Sequence, residues 1–184
     1  MAKDWLVQIQ RRDQQWVMAV QALRGKNDVV DQVARWIGTY GPHLFFLEMG
    51  TILVAYIMML QQGAALHAAY EIFVAIASAL STKFVIDPIA THVGRVRPFV
   101  TEGFTPLIYK DPHDPSFPSN HAGGAFALGT ILALTFPQVL VISLGLAFLI
   151  AFARFYIGLH YITDVVVGAM IGCSMSFLYW KIWG

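Results

Sequence analysis

Five apolar runs dominate the chain, and a single long polar stretch interrupts them. The runs occupy residues 44–60, 64–86, 122–136, 137–156 and 161–180. A helix that crosses lipid needs about 20 apolar residues. In the bilayer core no water is present to bond the backbone, so runs of this kind are expected to be α-helical. The run 122–136 is short by that measure and is expected to tilt little or to start within the headgroup layer. Pro137 marks a tight turn, because it cannot continue the hydrogen bonding of the preceding helix. The composition agrees: the chain is 57% hydrophobic and 12% charged, with a mean hydropathy of +0.60. A soluble domain would carry about twice that charged fraction.

The bulk features also exclude some classes. A net charge of +1, with no basic arm and no zinc-type ligand spacing, gives nucleic acid nothing to bind. Cys173 is the only cysteine, so no disulfide forms within the chain. The opening "MAKDWLVQIQRRDQQW" alternates charged and apolar residues and is not expected to be a cleavable signal peptide. Residues 1–27 read as an amphipathic helix with Trp5, Ile9, Trp16, Val20 and Leu23 on one face. Arg12 and Asp13 interrupt that face. Tryptophan beside basic residues suits a helix lying in the membrane interface; a solvated helix packed on the domain is the plainer alternative. Residues 29–40 form a short mixed segment, in which Asp31 and Arg35 argue against a membrane crossing. The expected fold is all-α: a polytopic membrane helix bundle of about five to six transmembrane helices plus an N-terminal interfacial helix. It is expected as a single domain, with interfacial helices in 1–42, the five spans above, and an active-site loop over 87–121.

That loop region holds six of the eight prolines, and polar clusters lie at its ends and beyond. "GRVRPF" carries Arg95 and Arg97. "SFPSNHAGG" carries Ser119, Asn120 and His121 and opens a helix. "ARFYIGLHYITD" carries Arg154, His160 and Asp164. Two antiparallel spans joined at Pro137 bring their outer ends together, and the polar stretch ends on the same side. Three clusters therefore meet at one membrane face. If His160 and Asp164 ride one helix, their spacing of four puts them on one face. The carboxylate would then accept a proton from one imidazole nitrogen and leave the other free as nucleophile or base. Guanidinium forks match phosphate oxygens bidentately, and a helix start adds positive partial charge. Arg97 and Arg154 would hold such a group, with Ser119 and the amides of Asn120 and His121 completing a cradle. His121 is placed to protonate a departing oxygen. One Arg or His at a span end is ordinarily a headgroup anchor; it is the convergence of three clusters that argues for a site.

These motifs resemble the type 2 phosphatidic acid phosphatase superfamily, integral-membrane lipid phosphatases whose site is built from three short motifs. Arg154, His160 and Asp164 match the third motif in spacing, Pro118–His121 the second, and Arg97–Pro98 the first. The resemblance implies that His160 is a nucleophile forming a phosphohistidine, that Asp164 orients it, and that Arg154 binds phosphate. It also implies that His121 is the general acid and Ser119 a phosphate ligand. Three positions depart from the pattern. A lysine expected seven residues before Arg97 is Ala90, with Arg95 or Lys83 as candidate replacements. The motif glycine is Asn120, and a serine often preceding the third motif's arginine is Ala153. The amide at 120, "RPFV" and the "DPSFPS" lead-in look most like the bacterial undecaprenyl-diphosphate phosphatases of the bacitracin-resistance type.

The implied activity is metal-independent hydrolysis of a membrane lipid phosphate, with undecaprenyl diphosphate favoured over phosphatidic acid, phosphatidylglycerol phosphate and lipid A phosphate. No cofactor or metal is expected, because arginines supply the charge that Mg²⁺ supplies elsewhere. The rival from another class is a non-enzymatic anionic-lipid binder or transporter, which would have no need of the His160–Asp164 pair. Vanadate-dependent haloperoxidases share the motif logic but resemble soluble proteins. The expected partners are the lipid substrate and the bilayer, and no nucleic acid. His92 and His113 read as solvated or near substrate at best. His67 reads as an interface residue, and Met58 and Met59 as lipid-facing or packing. Glu48 and Glu71, inside spans, are expected to pair with Arg35 or a neighbouring helix. Lys3, Arg11, Arg12, Arg24 and Lys26 fall on the active-site side, which the positive-inside rule would make cytoplasmic. The resemblance implies instead the outer face of a bacterial plasma membrane. Charges on interfacial helices bind headgroups and need not report topology, so the outward-facing site is the reading adopted.

Overall fold

The computed structural model describes residues 2–59 and 63–183, with side chains described from residue 7 onward in the first helix. Four sequence expectations lie outside the described residues: the Lys3 and Trp5 side chains, the end of the first run at Leu60, and the Gln61–Gln62 part of its turn. The helices run α1 Ala2–Gln21, α2 Asp28–Met58, α3 Ala64–Val93, α4 Pro98–Thr101, α5 Asn120–Thr135, α6 Leu140–Tyr156 and α7 Ile162–Trp183. A 3₁₀ turn at Pro137–Val139 joins α5 to α6. No strand occurs among the described residues. The all-α membrane bundle is as expected. Four candidate spans, carried by α2, α3, α6 with its leading turn, and α7, are long and apolar enough to cross a membrane. At 16 residues α5 is about 24 Å long, short of the roughly 30 Å of hydrocarbon.

Two boundaries differ from the sequence expectation. Residues 29–40 do not form a separate segment; α2 continues through Pro42 as one helix of 31 residues. A proline removes only its own donor, which here leaves the Gly38 carbonyl without its helical partner. Arg154 Nη1 donates to that carbonyl at 2.9 Å. The polar residue Asp31 is also satisfied, accepting from Gly25 N at 2.8 Å and Tyr156 Oη at 2.7 Å. Likewise α3 passes Pro88 and ends at Val93, seven residues beyond the expected limit at 86.

The short α5 packs between α3, α6 and α7, and α2 lies against α6. Its buried residues include Ala122, Ala125, Phe126, Ile131 and Leu132, while Phe46, Leu47, Phe73, Phe84, Val141 and Phe148 point outward. Lipid is as apolar as these side chains, so close van der Waals contact between helices has to hold the bundle. Glycines permit it. A Cβ at Gly172 would lie 2.2 Å from the Gly123 carbonyl oxygen, and one at Gly168 would lie 2.5 Å from that of Ser119. The α7 backbone thus rests on the first turns of α5, which sets the two motif-bearing helix starts side by side. Gly172→Val is expected to cost about 1–3 kcal/mol in overpacking. Thermal unfolding in detergent should show a lowered Tm, whereas Gly145→Ala, which meets nothing within 4 Å, should leave it unchanged. Equal Tm values for the two variants would refute the close-contact account.

The buried carboxylates inside α2 and α3 pair with neighbouring helices, not with Arg35. The Ser143 hydroxyl of α6 donates to Glu48 Oε1. Thr135 Oγ1 at the end of α5 donates to Glu71 at 3.3 Å. Helix α1 docks against the junction of α6 and α7. Asp13 and Val17 are buried, while Trp16 and Leu23 are exposed. Val17 packs with Phe155 and Tyr161. Asp13, which interrupts the apolar stripe, is part of the docking face because it finds a cation there.

Candidate active site

The turn from α6 to α7 carries His160. Gly158 supplies a left-handed bend at φ +88, and a Cβ there would meet Arg24 and Phe104 at 2.6 Å. Asp164 sits in the first turn of α7 and accepts from the Tyr161 amide at 2.8 Å, closing the helix start. His160 precedes the helix, so the two residues do not ride one helix as the spacing suggested. His160 Nδ1 is 3.8 Å from Asp164 Oδ2, beyond hydrogen-bond reach, and 2.7 Å from the Ser116 carbonyl oxygen. A carbonyl only accepts, so Nδ1 carries the proton and Nε2 is bare. The orienting acceptor is therefore a backbone group of the loop, with Asp164 close behind. Burial, followed by the charges of Arg154 and Arg97, holds the His160 imidazole well below its ordinary pKa, against a smaller opposing effect of the Ser116 carbonyl. The ring is neutral at pH 7, as a nucleophile must be.

The two motif arginines differ in what they have left to give. Arg97 donates from Nε to the Asp114 carbonyl at 3.0 Å, from Nη1 to Leu159 at 2.9 Å and from Nη2 to Pro115 at 2.9 Å. It ties the polar loop to the His160 turn, and its Nη1 also lies 3.4 Å from His160 Nε2. Arg154 donates from Nη1 to Gly38, and its Nε is buried without a partner. Arg154 therefore keeps unspent donors beside the histidine.

Both arginines line a cavity of about 800 Å³, together with His160, His121, Asn120, Lys110 and Asp114. Further along α2, α5 and α3 the wall is formed by Pro42, Phe45, Phe46, Ala125 and Leu128, with Lys83 and Asp87. Charged and apolar side chains thus share one cavity, as an amphiphile with a charged head requires. His121, on the first turn of α5, is exposed and lines the same cavity as His160. The amides of Asn120 and His121 belong to that turn, where an α-helix offers no internal acceptor.

Two expected ligands lie elsewhere. Ser119 is fully buried; it caps α5, its Oγ accepting from Ala122 N at 3.4 Å and its amide donating to the Asp164 carbonyl at 2.9 Å. It is not part of the cavity wall, because the cap turns its hydroxyl into the helix. Arg95 is also absent from the wall. Its Nη1 donates to Asp164 Oδ1 at 2.6 Å, its Nη2 to Asp13 Oδ2 at 2.7 Å, and its guanidinium stacks 3.9 Å over Tyr161. Of the two candidate replacements for the lysine missing at Ala90, only Lys83 reaches the cavity, two helical turns earlier on the same face of α3. Lys83 donates to Asp87, which also accepts from Asn120 Nδ2 at 2.7 Å, while Asn120 Oδ1 is buried without a partner. His92 and His113 are exposed and stand outside the cavity, and His113 pairs with Asp111 at 3.0 Å.

Sequence reasoning did not single out Asp13, Lys110, Asp87 or the Ser116 carbonyl. The spacing of Lys83, Asp87 and Ala90 on one helix face was the readable signal for Asp87. A backbone carbonyl and a carboxylate from the first helix have no such local signal.

Fold and site define a polytopic helical membrane protein with a buried histidine, two guanidiniums and a carboxylate gathered at its helix ends. The chain belongs to the PAP2 superfamily, whose family model matches residues 69–184. An undecaprenyl-diphosphatase of Sulfolobus acidocaldarius is 32% identical over 96 residues, covering 51% of this chain and 47% of that protein. Undecaprenyl-diphosphatase BcrC of Bacillus subtilis is 28% identical over 166 residues, covering 89% of this chain and 80% of the relative. The match thus spans about half the length of the first and four-fifths of the second. A crystal structure of a transmembrane PAP2-type phosphatidylglycerolphosphate phosphatase from Bacillus subtilis shares the fold, with TM-score 0.69 at 22% identity over 95% of this chain and 85% of that one.

Proposed function

We propose that this chain is a lipid phosphatase working through a phosphohistidine at His160, with undecaprenyl diphosphate as substrate. The observation that carries the reading is the bare Nε2 of a neutral, buried imidazole at a cavity that two guanidiniums share with the apolar side chains of Phe45, Phe46, Ala125 and Leu128. The lipid's head enters from one leaflet. Arg154, with the α5 amides of Asn120 and His121, binds the phosphoryl oxygens, and Arg97 holds the loop in place behind them. Desolvation in the cavity, followed by the charge of Arg154, holds the His121 pKa down to about 3; the anionic lipid head offsets those cations and lets the ring take up a proton. Nε2 attacks phosphorus, the bond to the leaving oxygen breaks, and the protonated His121 gives its proton to that oxygen. The imidazole gains positive charge, which the Ser116 carbonyl at Nδ1–H and the nearby Asp164 stabilise. Water, giving a proton back to His121, then cleaves the P–N bond and releases phosphate. The two undecaprenyl-diphosphatase relatives support the choice of substrate, and the outer face of a plasma membrane is the corresponding location.

The test is phosphate release by detergent-purified protein in EDTA, with undecaprenyl diphosphate, phosphatidic acid, phosphatidylglycerol phosphate and lipid A phosphate offered in parallel. Fastest release from undecaprenyl diphosphate, undiminished by EDTA, is the expected result. A different rank order would reassign the substrate. Lipid binding without release from any of the four would favour the headgroup binder and end the enzyme reading.

A further inference from the structure

Asp13 lies on α1, 82 residues before Arg95 and 150 before Thr163, yet it is only 3% exposed. Its Oδ2 accepts from Arg95 Nη2 at 2.7 Å and from the Thr163 hydroxyl, and its Oδ1 accepts from the Thr163 amide at 3.3 Å. Arg95 Nη1 reaches Thr163 Oγ1 at 2.7 Å and Asp164 Oδ1 at 2.6 Å. Asp13, Arg95, Asp164 and Thr163 therefore close a ring directly behind His160. Burying a carboxylate from a terminal helix is costly unless it is paired, and Asp164 alone would already satisfy Arg95's charge. Two carboxylates around one guanidinium leave a net negative charge in the ring. That charge lies on the side of His160 away from the cavity, where the imidazole becomes cationic when Nε2 bonds to phosphorus.

We propose that Asp13 is a positioning residue of the phosphatase site. It draws Arg95 partly away from Asp164, fixes the orientation of that carboxylate, and keeps its negative charge directed at His160. The inference rests on the phosphohistidine reading above. It makes α1 a working part of the site as well as a surface helix. Asp13 touches neither the cavity nor the substrate, so its influence runs only through Arg95 and Asp164.

The expected result is that Asp13→Asn, which keeps the shape and removes the charge, lowers kcat about ten- to a hundred-fold with KM unchanged. Asp13→Glu, which restores the charge on a longer stem, should recover part of the loss. In an Arg95→Gln background, Asp13→Asn should cost nothing further, because the path through Arg95 is already broken. Rates are referred to folded protein, measured by size-exclusion elution and thermal unfolding. Unchanged kcat per folded molecule in Asp13→Asn overturns the proposal, as do losses that simply multiply in the double variant. If Asp13→Asn does not accumulate, Arg95→Gln decides: reduced kcat at constant KM supports the inference and wild-type kcat overturns it, because the path runs through Arg95. Wild-type protein with no His160-dependent release would fail the phosphatase reading and this inference together. Active wild-type protein with a fully active Asp13→Asn variant would fail this inference alone.

Discussion

His160→Ala is expected to abolish phosphate release, by about 10⁴-fold or more in kcat, while the protein still binds the lipid. Losing a covalent nucleophile costs rates of this order because no alternative bond to phosphorus can form at that place. His121 lies on the first turn of α5, while the Ser116 carbonyl orients His160, so His121 cannot replace a nucleophile held there. Arg154 keeps its anchor on Gly38 at 2.9 Å in the variant, so the cationic wall of the cavity persists and lipid binding with it. Rapid acid-free quenching of wild-type protein with ³²P-labelled lipid should capture label on the chain, stable in alkali and lost in acid, as a phosphoramidate is. Labelled protein persisting in His160→Ala, or release within ten-fold of wild type, would move the nucleophile elsewhere.

The second large effect separates the two arginines. The residues alone give both the task of holding phosphate, and the structure distinguishes how many donors each has already committed. Arg97 donates to three backbone carbonyls, those of Asp114, Leu159 and Pro115. Lysine is a point charge on a flexible stem and cannot satisfy three acceptors spread over a planar fork. A buried carbonyl left unpaired costs about 1–3 kcal/mol, and of the three only that of Leu159 is fully buried, so Arg97→Lys is expected to lose about 1–3 kcal/mol of stability and to loosen the loop carrying Ser116. Arg154→Lys loses one carbonyl bond and should keep most of its stability, while its KM rises and its turnover falls. Thermal unfolding in detergent and steady-state kinetics on both variants decide the matter. If Arg97→Lys melts with the wild type and merely binds lipid more weakly, Arg97 is a ligand after all.

Much of this was legible in the residues. The helices were, because in lipid every backbone donor and acceptor must be paired within its own segment, so an apolar run announces its own structure. The meeting of the three clusters was legible too, since a turn at Pro137 between two antiparallel spans can only bring their far ends together. The errors came where a local rule was overridden at a distance. Pro42 and Asp31 look like breaks in a span, yet α2 runs on because Arg154 takes the carbonyl that Pro42 frees and Tyr156 takes the carboxylate. The spacing of His160 and Asp164 looks like one helix face, yet the helix begins at Ile162.

The chain's order of residues by itself determined that this is a helical membrane protein, which residue types stand at its polar face, and that a histidine, a carboxylate and arginines are among them. Periodicity and apolar length are local properties, readable without knowing the partners. Only the tertiary structure decided which atoms do what. It aimed Nδ1 of His160 at the Ser116 carbonyl, committed three of the five donors of Arg97 to the backbone, left Nε of Arg154 unspent, and carried Asp13 from the first helix to Arg95. Those choices depend on contacts between residues dozens to more than a hundred positions apart, and a hydrogen bond's geometry is set by where two backbones pass each other.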